Sequence, residues 1–288
     1  MPKLLFTILY ILLALEVKAQ SRKFYTIKND NSYDKIIFKV QAQSGNYKII
    51  PSKRINPIDI FGSTNHEYLN PSFTSKKINK RTRYVNLRLE NLYDPILTNL
   101  VPNENNLWEF FINEEKKYDL IFDYNVADAN VNLSKIPIEN VSFVTGNANL
   151  KIYYNENEGN PIQMDSLKIK IEIGSLDTKN INLSNANIIF TEIGFGNILL
   201  DIAKNNSKGF NSQTNLSAGK LIIKLPIDNT ATKIEVSASP LSTIDIPEDF
   251  HEIKKNVFVN KSYFPKSKNI RSFRIDLGLG NITVNYKK

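Results

Sequence analysis

Leu167–Leu225 reads LKIKIEIGSLDTKNINLSNANIIFTEIGFGNILLDIAKNNSKGFNSQTNLSAGKLIIKL, one unit stated three times. Each unit is an alternating apolar run, a small residue, and a second apolar run. The small residues are Gly174, Gly196 and Gly219, which lie 22 and then 23 residues apart. Across each of them the apolar set changes parity. Leu167, Ile169, Ile171 and Ile173 are odd, and Leu176 is even. Ile193 and Phe195 are odd, and Ile198 and Leu200 are even. Leu216 is even, and Leu221, Ile223 and Leu225 are odd. A strand sends successive side chains to opposite faces, so a slip of one residue would turn the apolar set out to solvent. The chain avoids this only if each small residue sits at a bulge or corner that absorbs the extra residue.

Outward from this stretch the device recurs. Tyr118, Leu120, Phe122 and Tyr124 are even; past Ala127-Asp128-Ala129, Val131 and Leu133 are odd. Val141 and Phe143 give way past Ala148 to Leu150 and Ile152, and Phe273 to Leu279 give way past Gly280 to Ile282 and Val284. We take Ala129, Ala148, Gly174, Gly196, Gly219 and Gly280 as corner residues. Six copies of one device predict stacked rungs of about 20–26 residues, an all-β solenoid in which each turn buries its apolar face on its neighbours. The interval from Gly219 to Gly280 breaks the rhythm; with Ile234 to Val236 and Val257 to Val259 inside it, it reads as a degenerate rung with loops, or a cap.

Upstream the pattern is weaker. Ile36, Phe38, Val40 and Ala42 alternate as a strand, as do Val85, Leu87 and Leu89. Between about Ser44 and Thr82, with Pro51, Pro57, Gly62 and Pro71, the expectation is long loops. Trp108, Phe110 and Phe111 read as core. Lys3, the apolar run Leu4 to Leu15 and the small-x-small site Val17-Lys18-Ala19 read as a signal peptide, too short to span a bilayer as a helix. The expected organisation is a signal peptide over 1–19, an irregular β-rich N-terminal region or cap over 20–117, and the solenoid over 118–288. The expected location is extracytoplasmic, in the periplasm or on the cell surface.

The pieces Leu133 to Ile138 (LSKIPI), Thr145 to Ala148 (TGNA), Asn160-Pro161, Ile173 to Leu176 (IGSL), Gly194 to Leu200 (GFGNILL), Ala218 to Leu221 (AGKL) and Gly278 to Ile282 (GLGNI) occur in an order and spacing that resembles a group of bacterial extracytoplasmic β-solenoids. The group takes in the toast-rack domains, the "putative adhesin" head domains and the C-terminal domain of LiaF-type envelope-stress regulators. The resemblance covers about Asp119 to Tyr286. It implies a right-handed, non-enzymatic solenoid outside the cytoplasmic membrane. The LiaF-type proteins carry membrane spans ahead of the solenoid, and this chain shows only the signal peptide.

Composition narrows the functional classes. The chain has no Cys, so disulfides, thiolate metal sites and lipidated cysteines are excluded. Its two histidines, His66 and His251, are far apart and in no His-Glu-x-x-His run. Gly194-Phe-Gly196 and Gly278-Leu-Gly280 lack the third glycine and the following helix of a dinucleotide fingerprint, so they read as β-corners. Asp30, Ser32 and Asp34 begin like a calcium loop without its glycine or closing glutamate. Asp119, Asp123, Glu172 and Asp276 alternate with apolar residues, as an outer strand face would. No catalytic residue, cofactor or metal ligand is assigned. Of the formal +8 charge, residues 20–118 hold a net +6, and 119–288 only +1. Lys76, Lys77, Lys80, Arg81, Arg83 and Arg88 form an acid-free basic run, a candidate polyanion contact. Outside the cytoplasm the available polyanions are anionic lipid, lipopolysaccharide and acidic glycans, not nucleic acid. The preferred expectation is a non-catalytic envelope or surface protein with an adhesin-like binding or assembly role. An envelope-stress accessory acting through protein partners and a glycan-active enzyme are the alternatives.

Overall fold

The computed structural model describes residues 21–64, 69–91, 106–204, 209–267 and 269–287. The expected signal peptide and His66 lie outside them. In chain order the strands are β1 (Ser21–Ile27), β2 (Lys35–Ser52), β3 (Ile58–Thr64), β4 (Leu69–Lys77), β5 (Thr82–Asn91), β6 (Leu107–Asn113), β7 (Lys117–Asn132) and β8 (Ile138–Tyr153). There follow β9 (Met164–Lys179), β10 (Ala186–Asp201), β11 (Phe210–Leu225), β12 (Ala231–Ala238), β13 (Thr243–Asp245), β14 (Phe250–Lys254), β15 (Val257–Asn260) and β16 (Ile270–Tyr286). A single 3₁₀ turn, Ile181–Ser184, between Asn180 and Asn185 in left-handed conformations, is the one helical piece among the described residues.

The fold is a β-solenoid. Among the described residues seven long strands (β2, β7, β8, β9, β10, β11 and β16) stack in parallel, each a full rung bent once into two arms. Side chains pointing into the bend form one continuous core. On the first arm Phe122, Phe143 and Ile169 lie in one column; on the second, Leu150, Leu176, Ile198, Leu221 and Ile282 lie in another, all buried.

The bend falls on one column: Gly45, Ala127, Ala148, Gly174, Gly196, Gly219 and Gly280 are paired rung to rung. Gly196 shows why the column is glycine. Its φ is +151°, and a Cβ there would lie 1.7 Å from the carbonyl oxygen of Gly174. Only glycine tolerates both that conformation and that approach.

Three expectations need correction. The corner of β7 is Ala127, not Ala129. Ala129 is paired with Tyr47 and Leu150 in a core column, and it is small because Tyr47, stacked on Tyr124 at 4.1 Å, takes the space beside it. Ile173, Phe195 and Leu279, read as core, are 56, 62 and 51 % exposed. The residue before each of Gly174, Gly196, Gly219 and Gly280 points outward as the chain turns, so these three and Ala218 form a ridge along the outside of the bend. The segment from Ser44 to Thr82 is not long loops. β2 continues through it with the same parity switch, from Ile36, Phe38 and Val40 to Tyr47 and Ile49 across Gly45, and β3 and β4 follow.

Both ends are closed by split rungs and antiparallel strands. β5 and β6 lie along the two arms of β2; β4 pairs β5, β3 pairs β6, and β1 pairs β3. At the other end β12 and β13 lie along the two arms of β16, and β15 and β14 follow antiparallel. The insert between Gly219 and Gly280 thus supplies both a degenerate rung and a cap. β16, last in the chain, is slotted between β11 and β12. Pro71 on the outer strand β4 and the register shift in β14 spoil those edges for further pairing.

Candidate functional site

The basic run is divided by the fold. Arg83 lies on the inward face of β5, its guanidinium 4.7 Å from the Tyr33 ring and its Nη1 donating to Ser75 Oγ at 3.1 Å. Arg88 points outward, 3.6 Å from Glu90 and 3.4 Å from Gln41 Oε1. Arg81 pairs with Asp34 at 2.5 Å, and Lys76 sits near the Tyr84 ring. Lys77 and Lys80 are exposed. Asp30, whose acidity is raised chiefly by bonds from the Ser32 N–H and hydroxyl, lies within the field of Arg83 and Lys77. The calcium-like triplet is therefore an Asp-Ser turn with Asp34 engaged by arginine.

Carboxylates meet at one notable place. Lys35 Nζ binds Asp119 at 2.7 Å and Glu139 at 2.8 Å, and Lys117 binds Glu139 at 3.0 Å. The Lys35 bond, helped by Lys117 and opposed by desolvation, holds the Glu139 carboxyl below the usual range. A glycosidase acid needs the opposite displacement. Among the described residues no group of three or more His, Asp or Glu could hold a metal ion. His251 is exposed on β14. Beside the corner, Asp128, Asn149, Ser175, Asn197, Lys220 and Asn281 form a polar ladder, with Ser175 Oγ donating to Asn149 Oδ1 at 2.7 Å; Asn147, paired with Ile173, lies on the outer ridge.

Two of the depressions among the described residues bear on binding. One, of about 360 Å³, lies where β10, β11 and β16 begin and is lined by uncharged amides together with Ala186, Gly209, Phe210 and Ile270. Its Gln163 donates to the Asn185 carbonyl at 2.6 Å and to Asn187 Oδ1 at 3.1 Å, so part of its amide capacity is already used.

The other, of about 390 Å³, is on the outer face of the N-terminal cap. Register sets the composition of that face. Arg22, Ser63 and Leu107 form one row across β1, β3 and β6; Phe24, Phe61 and Glu109 form the next; Thr26, Asp59 and Phe111 the third. The outer face of an antiparallel sheet is ordinarily polar. Here Phe24 and Phe61 are in contact at 4.8 Å, Phe61 and Phe111 meet edge-on at 5.4 Å, and Phe24 is 54 % exposed. The Arg54 guanidinium lies 4.1 Å from the Phe111 centroid and 4.9 Å from that of Phe61. Its carboxylate neighbour, Asp59, is buried and also accepts from Thr26 Oγ1 at 2.6 Å and Asn56 Nδ2 at 3.2 Å. Lys48 pairs with Glu109 at 3.3 Å across the same face. On the opposite side of β3, a Cβ on Gly62 would strike the Trp108 ring at 2.5 Å, so the tryptophan supports the face from within. Phe111, read as core with Trp108 and Phe110, lies instead on the outer face of β6, and the site was missed because Phe24, Phe61 and Phe111 are distant in sequence and only register joins them.

No family model and no curated protein matches the chain. Among solved structures, a "putative cell adhesion protein" from Clostridium sporogenes is similar at 14 % identity, with a TM-score of 0.45 over 93 % of this chain and 100 % of that one. A "putative adhesin" from Bacteroides fragilis is similar at 11 % identity and a TM-score of 0.33, over 93 % of this chain and 98 % of that one. A "putative lipid binding protein" from Parabacteroides distasonis is similar at 10 % identity and a TM-score of 0.35, over 94 % and 98 %.

Proposed function

We propose that this chain is a non-catalytic, exported cell-envelope protein whose coil is a stiff support for a binding face, with an adhesin-like role. One observation carries the reading. Phe24, Phe61, Phe111 and Arg54 are gathered on the outside of the cap, where the fold has no need of aromatic rings. Exposed apolar clusters rimmed by polar residues mark interaction surfaces. The same residues lack the paired acid and base of a hydrolytic site, and Glu139, which shares Lys35 with Asp119, is displaced the wrong way for proton donation.

The test presents the purified chain, residues 20–288, to membranes, peptidoglycan and acidic polysaccharide from bacterial envelopes. Retention is measured together with any product released from the fraction. Retention that leaves the fraction chemically unchanged, and that falls in Phe24→Ser/Phe61→Ser, is the expected result. Turnover of any fraction, or equal retention by that variant, would overturn the reading.

A further inference from the structure

The geometry points to an anionic lipid surface as the partner of the cap face, an inference that rests on the binding role above and names its ligand. Three observations favour lipid. The first is the kind of aromatic. All three rings are phenylalanine, with no polar tip, and Leu107 extends the patch. Sugar rings are held by aromatic stacking together with convergent donors and acceptors. This face is rich in cationic donors but poor in free acceptors, since Asp59 spends its oxygens on Thr26, Asn56 and Arg54 and Glu109 pairs with Lys48. Rings with no polar handle suit the boundary between headgroup and acyl chain instead.

The second is charge. Arg22, Arg54 and Lys48 lie on the face of the rings, against Glu109 and the buried Asp59; Lys23 lines the same depression but is paired with Gly62, on the other face of β1. Arg22 is exposed on the same side of β1 as Phe24, two residues before it. An anionic bilayer attracts such residues at about a fivefold gain in partitioning per cation near the surface. The third is arrangement. The Arg54 guanidinium lies over the Phe111 and Phe61 rings rather than apart from them, so charge and apolar surface share one patch. Among the described residues β1, at the edge of the sheet, has no strand beyond it to keep Phe24 from a membrane.

The experiment is vesicle flotation with the purified chain, residues 20–288. One set of vesicles is phosphatidylglycerol mixed with phosphatidylcholine, the other phosphatidylcholine alone. The expected result is flotation with the anionic vesicles only, weakening as salt is raised. Phe24→Ser/Phe61→Ser should lower partitioning about tenfold or more, and Arg22→Ser/Arg54→Ser by about 25-fold, two cations at the per-cation gain above. Lys76→Ser/Lys77→Ser, on the β4 edge, should leave it unchanged. Circular dichroism and melting of each variant check that it folds, and Phe24→Ser alone removes an exposed ring should the double variant not fold. Absence of flotation, equal flotation with both vesicle types, or flotation indifferent to the cap variants would each overturn the inference. Retention on acidic polysaccharide without flotation would overturn the lipid assignment and leave the binding role standing.

Discussion

At the scale of single residues, the corner glycines and one buried ion pair are the positions where a small change should have a large effect. Gly196→Ala would force a Cβ into the Gly174 carbonyl in a conformation closed to alanine. The neighbouring rungs share that close approach and cannot move apart separately. We expect a loss of more than about 4 kcal/mol, or no folding, by urea denaturation. Ala127→Gly in the same column should cost only about 1 kcal/mol. Arg271 is buried and grips Asp228 through both nitrogens, at 2.9 and 2.5 Å. Burial alone would raise the Asp228 carboxyl; the bonds from Arg271 and the Thr230 N–H outweigh it and hold it below its usual range. Its pKa is therefore lower folded than unfolded, and the pair contributes fully above the unfolded value of about 4. That contribution is lost as pH falls through the folded value. Arg271→Ala should cost about 3–5 kcal/mol at neutral pH. Denaturant melts of this variant should lose part of the wild-type fall in stability below about pH 4; an unchanged acid limb would assign that fall to other groups.

At the scale of the element, the bent rung explains which apolar residues hold the coil together. Ile193 is fully buried, whereas Phe195, two residues on and of the same parity, is 62 % exposed on the ridge. Ile193→Ala should destabilise by about 2–5 kcal/mol, and Phe195→Ser by no more than about 0.5 kcal/mol. Equal losses in thermal melts would mean that the ridge is covered. Alternation alone could not make this distinction. Parity says which residues share a face of a straight strand, and the turn at the glycine rotates the last residue before it out of that face. The same limit explains β2. Its switch across Gly45 is as regular as the others, but Gln, Ser, Asn and Pro51 around it dilute the apolar signal. Partnership with β7 stabilises that strand where its own composition does not.

At the scale of the whole molecule, order along the chain and order in space part company at both ends. β5 and β6 form a split rung outside β2, and β7 returns to its inner side. At the other end β12 to β15 are laid down before β16 enters between β11 and β12. The final strand is therefore an interior one. Ending the chain at residue 269 should leave the facing edges of β11 and β12 unpaired. The expected outcome is loss of a single cooperative melt and proteolysis back to β11. A truncated chain that melts as the full chain does would show that the cap stands alone. Pairings made across such sequence separation also predict slow refolding for a protein of this length.

The sequence by itself determined the rung. Period-two alternation, a parity switch and a small residue at the switch are local facts, and the physics of a pleated strand converts them into a bent, half-buried ribbon without knowledge of partners. Most of the corner column and the cap nature of the Gly219–Gly280 insert were legible for that reason. The tertiary structure alone decided which rung stacks on which, that Ala127 and not Ala129 makes the corner of β7, that β16 is interior, and that the basic run is split between two faces. It also decided the candidate site. Phe24, Phe61 and Phe111 become neighbours only through antiparallel register between β1, β3 and β6, and register across strands is set by pairing energy distributed over whole elements, which no local pattern encodes.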